Sequence, residues 1–137
     1  MKKIMISSYF FRIMKFHFID NRGFLLTEII TEKHELKTAQ DALDIVGNSI
    51  YKNSYKIILH QDGLVPEFFD LKSGLAGEML QKFVNYNCEL AIIGDFTKYS
   101  GQALKDFIRE CNAKGQINFV TSMEDAQKVL LKNDWNP

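Results

Sequence analysis

Only two cysteines and two prolines occur in 137 residues, and charge of neither sign is in excess, with 17 basic side chains against 17 acidic ones. Each shortage excludes a class of protein. Cys88 and Cys111 are too few for a disulfide framework and lack the CxxC or Cys/His spacing of a zinc site, so a reducing, cytoplasmic setting is expected. Both thiols read as small core residues. With no net charge, no long-range field draws the chain to phosphate backbones or anionic lipid, and nucleic acid is not an expected partner. Long apolar runs are missing too. The opening MKKIMISSYFFRIMKFHF is interrupted by Arg12 and Lys15, lacks a small-residue cleavage site, and falls short of the roughly 18 apolar residues that span a bilayer. A soluble chain with no membrane association follows. The phosphate-binding GxGxxG and GxxxxGKS patterns and the GxSxG elbow are all absent, and no cofactor or metal site is expected.

What is present is a regular alternation of patterns. Residues 15–19 and 24–30 favour extended chain around Asn21-Arg22-Gly23, which predicts a hairpin. Thr38 with Asp41 three residues later marks a helix start, and Ala39, Ala42, Leu43, Val46 and Ile50 recur at helical spacing. YKIILH and the nearly unbroken apolar ELAIIG read as neighbouring parallel strands, with FFDLKSGLAGEMLQKF between them as a helix. Its inward stripe is Leu75, Ala76, Met79, Leu80, Phe83 and Val84. Ser100 is placed to cap a further helix with Ala103, Leu104, Phe107, Ile108 and Cys111 inward, stopped near Lys114-Gly115. INFV makes the last strand, and Ser122 with Asp125 starts a final helix whose inner face is Ala126, Val129 and Leu130. The fold class expected is α/β: an N-terminal β-hairpin, then alternating helices and strands, in a mixed sheet of about five strands with four helices and right-handed crossovers. Met14 is itself a plausible start, so residues 1–14 read as an extension, with aromatics at Tyr9, Phe10 and Phe11, and residues 15–137 as one domain.

The element order together with Ser73-Gly74-Leu75 resembles the STAS domain, named for sulfate transporters and anti-sigma-factor antagonists. The resemblance covers the chain from about Lys15 onward. AQDALDIV, FFDLKSGLAGEMLQKFVNY, LAIIGDF and ALKDFIRECN are similar to a family of small bacterial STAS-like proteins described only as a domain of unknown function. In STAS regulators, a serine or threonine at the start of the helix after the third strand is phosphorylated by a partner kinase and the added charge breaks a complex. The resemblance therefore implies a non-enzymatic regulatory module, with Ser73 at the corresponding position and Asp70 and Gly74 beside it. Here Leu71 and Lys72 separate Asp70 from Ser73, whereas those regulators place the acid, the serine and a further small hydroxyl residue consecutively. The same residues also have a local use. Ser73 or Asp70 is suited to cap a helix, and Gly74 and Gly77 to let it approach the sheet.

Two functional surfaces are open on these residues. One is a protein-binding face around Ser73 and the long connection 61–72, where Phe68 and Phe69 read as exposed. The other is a small-molecule or catalytic site at the carboxyl ends of the strands, where ligands gather in open α/β sheets. His60 and Asp62 follow the third strand and Asp95 the fourth; an imidazole and two carboxylates support acid/base work if they converge. His17 and His34 have no visible partner. A crevice plugged by Leu64, Val65, Phe68 and Phe69 favours the first surface over the second. The oligomeric state is not legible.

Overall fold

The computed structural model describes residues 14–132. The expected extension over residues 1–14 lies, apart from Met14, outside them. Strands β1 (Lys15–Asn21) and β2 (Phe24–Ile30) pair antiparallel from Asn21↔Phe24 to Lys15↔Ile30. The turn between them holds Arg22 at φ 57° and Gly23 at φ 86°. Two successive positive φ values match the right-handed twist of a two-residue hairpin. Helix α1 (Ala39–Tyr51) starts at a complete capping box: the Thr38 hydroxyl accepts from the Asp41 amide and the Asp41 carboxylate accepts from the Thr38 amide. Then follow β3 (Lys56–His60), α2 (Leu75–Asn85), β4 (Glu89–Ile93), α3 (Gln102–Lys114), β5 (Ile117–Val120) and α4 (Met123–Leu130).

The five strands lie in chain order, β1-β2-β3-β4-β5, antiparallel in the first pair and parallel in the rest. A parallel sheet that always advances in one direction through right-handed crossovers must carry its crossover helices on one face. That is where α1, α2 and α3 pack, over Ile29, Ile57, Leu59, Leu90, Ile92, Ile117 and Phe119. The opposite face has a smaller core in which Ala126 and Leu130 of α4 cover Leu26, Ile58 and Ala91. Because successive strand side chains alternate between faces, Glu28 and His60 lie two positions beyond Leu26 and Ile58 on this second face. Eight residues of α4 do not reach across to them.

Several local expectations are corrected. Ser100 does not cap α3; Gly101 stands at that position with no side-chain bond, and Ala103 is exposed. On α2 Val84 lies at the edge of the buried stripe, 36% exposed, and on α1 Ile45 is fully buried while Leu43 is only partly so. The largest difference is in the stretch from Phe68 to Phe83. The α-helix begins only at Leu75, and Pro66–Phe69 and Leu71–Ser73 form tight 3-10 turns before it. Phe68 and Phe69, expected on the surface, are 1% and 7% exposed. The loop folds inward because two phenylalanines bury more apolar area than its turns cost to order.

Candidate functional site

Asp70 ends one turn and begins the next: its carboxylate accepts from the Lys72 amide at 3.3 Å. Ser73 then donates its hydroxyl to the Glu67 carbonyl (2.7 Å) and accepts from the Leu75 amide (3.2 Å), satisfying one unpaired amide of the helix start. Gly74 sits between them at φ 79°, a left-handed conformation that suits glycine. Ser73, Gly74 and Gly77 are all exposed. The expectation that Gly77 eases helix-to-sheet approach is not met, since a Cβ there meets nothing within 4 Å. The rim around the start of α2 is therefore built from below by Phe68 and Phe69, and its exposed residues, Asp70, Lys72, Ser73, Gly74 and Gly77, are small or polar, with Leu71 and Leu75 half-buried between them.

The crevice beyond the ends of β3 and β4 is filled from within. Gln61 is buried, donating to the Tyr99 hydroxyl (2.9 Å) and accepting from the Asp95 amide (2.8 Å). A Cβ on Gly94 would come within 2.3 Å of the Gln61 side chain, so glycine is required for that closeness. Tyr99 stacks on Phe69 at 4.9 Å, and Phe69, Phe96 and Phe119 continue the aromatic packing. Leu64 is 1% exposed in the same plug.

On the other face a groove of about 530 Å³ remains, lined by Glu28, Ile30, Thr31, Glu32, Lys33, His60, Asp62 and Gly63. Its floor is rigid because the connections after β2 and β3 are stitched together, His34 N to Asp62 O (2.8 Å) and Leu36 N to Gly63 O (2.8 Å). At its mouth the Glu28 carboxylate lies between two imidazoles on the neighbouring strands. Oε1 is 3.1 Å from His17 Nδ1 and Oε2 is 2.7 Å from His60 Nε2. Burial pushes the Glu28 carboxyl up, but the bonds from His60 and His17 outweigh that and hold its pKa below the ordinary value.

The expected trio is thus divided. His60 and Asp62 share the groove, whereas Asp95 is not among its lining residues; it is exposed, and the Thr97 hydroxyl (2.6 Å) and amide (3.0 Å) bind its Oδ1 and lower its pKa. Glu28 and His17 were missed as a pair. Their signal was present in the hairpin register, which sets His17 opposite Glu28. Among the described residues no group of three or more His, Cys, Asp or Glu is arranged to hold a metal ion, and no helix is long and apolar enough to cross a membrane.

Neither a curated protein nor a solved structure matches the chain. The family model described as Domain of unknown function (DUF4180) matches residues 22–130, from the hairpin turn to the end of α4, and the chain belongs to that family.

Proposed function

We propose that this chain is a non-enzymatic regulatory module that binds a protein partner through the rim at the start of α2, with Asp70, Ser73 and Gly74 at its centre. The observation that carries this reading is the exposed Gly77. A glycine inside a helix costs about 0.5–1 kcal/mol relative to alanine, and here open space surrounds the position. The fold has no use for that glycine, while a bare helix surface beside Ser73 admits the backbone of another molecule. Phe68 and Phe69 serve as internal anchors of the rim, and the filling of the crevice above β3 and β4 by Gln61, Phe69 and Tyr99 favours the rim over that crevice.

The STAS-like layout of the sequence supplies the regulatory sense. A phosphoryl group on Ser73 removes the hydrogen donated to Glu67 and sets a dianion against the N-terminus of α2, where the helix dipole favours it and the rim changes shape and charge. Capture from lysate with wild type, Ser73→Glu and Gly77→Gln tests the reading. A set of proteins held by wild type and lost by both variants supports it; identical sets, or none, oppose it.

One observation favours a second reading, a small-molecule site at the carboxyl ends of the strands: the open groove lined by Asp62 and by the bonded pair His60 and Glu28.

A further inference from the structure

His60 is oriented from one side only. Its Nε2 lies on Glu28, and its other ring nitrogen, Nδ1, has no hydrogen-bond partner among the described residues. An ionised carboxylate only accepts, so in the neutral ring Nε2 carries the proton and Nδ1 keeps a lone pair directed away from Glu28. His17, bonded to the other carboxylate oxygen, holds Glu28 in place. The His60 side chain is 40% exposed in the wall of a groove whose volume of about 530 Å³ suits a small ligand. Ile30, 44% exposed, gives the same groove an apolar wall.

We propose that this groove binds a small organic amine, whose ammonium donates to His60 Nδ1 while its hydrocarbon lies along Ile30. This rests on the second of the two readings above and concerns a surface separate from the Ser73 rim, so the two fail independently. The charged side chains lining the groove are Glu28 from β2, Glu32 and Lys33 from the connection after β2, and Asp62 after β3, an acidic excess that favours a cation. The neighbour of His60 on β4 is Ile93, which carries no charge.

The test follows the His60 ring and the amides of Thr31, Lys33 and Asp62 by NMR during titration with butane-1,4-diamine. Saturable shifts confined to the groove are expected. His60→Leu removes the outward acceptor altogether; it retains the folded spectrum and weakens binding by roughly tenfold. Nα-acetyl-lysinamide in the same titration distinguishes a free amine from a lysine offered by a partner, and tighter binding of it keeps the site and assigns the ammonium to a lysine side chain. No saturable shift with either amine, the same shifts with acetate in their place, or wild-type binding by His60→Leu overturns the proposal.

Discussion

Glu28 and His60, 32 residues apart in the chain, meet at 2.7 Å across β2 and β3, and the same carboxylate reaches back to His17 on β1. Three strands are thereby joined by one acid near the rim of the sheet. Because the folded pKa of Glu28 is depressed, its contribution to stability is fully present above the unfolded value, near 4.5, and is lost as pH falls through the folded value. Urea unfolding of wild type and Glu28→Gln at a series of pH values checks this. Wild type is the more stable at neutral pH, and the difference closes in acid.

The two glycines of the α2 rim are predicted to respond in opposite directions. Gly74→Ala places a side chain at φ 79° and destabilises by about 1 kcal/mol. Gly77→Ala meets nothing within 4 Å and stabilises by about 0.5–1 kcal/mol. Chemical denaturation of both variants gives the signs directly.

Phe68 anchors the rim from below with 1% of its surface exposed, so Phe68→Ala is expected to cost about 3–5 kcal/mol in the same assay. Phe24, 39% exposed on the hairpin, is expected to cost under about 1.5 kcal/mol on the same change.

Burial pushes the Cys88 thiol up to about 11, and Cys111 is raised as well by the same cause. Since the thiolate is the reactive form, Cys88 is expected to react with a disulfide reagent at neutral pH only as the chain unfolds. Labelling rates with and without urea, resolved by peptide mapping, measure this.

The elements were legible wherever a strong local signal coincided with burial. Thr38 with Asp41 and Ser122 with Asp125 mark their helix starts in sequence and in space, and ELAIIG lies as a parallel neighbour of YKIILH. The stretch before α2 was misread because SGL and the apolar spacing behind it look helical throughout, while Pro66 and the inward pull of Phe68 and Phe69 favour tight turns. Ser100 has the chemistry of a cap but lies one position too early for α3. The candidate site was half visible. His60 and Asp62 were legible from their place after a strand, but Asp95 was grouped with them without knowledge that Gln61 and Thr97 engage its amide and carboxylate. The Glu28 bridge depends on register across three strands, and only the hairpin part of that register is local.

The most direct measurement of the partner-binding account is site-specific photo-crosslinking, with a photoreactive residue placed at the exposed Glu78 beside the rim and, in a separate chain, at the exposed Glu110 on α3. The account predicts a discrete adduct with a cellular protein from position 78, none from position 110, and loss of that adduct on Ser73→Glu. Adducts from both positions alike, or from position 110 alone, would contradict it.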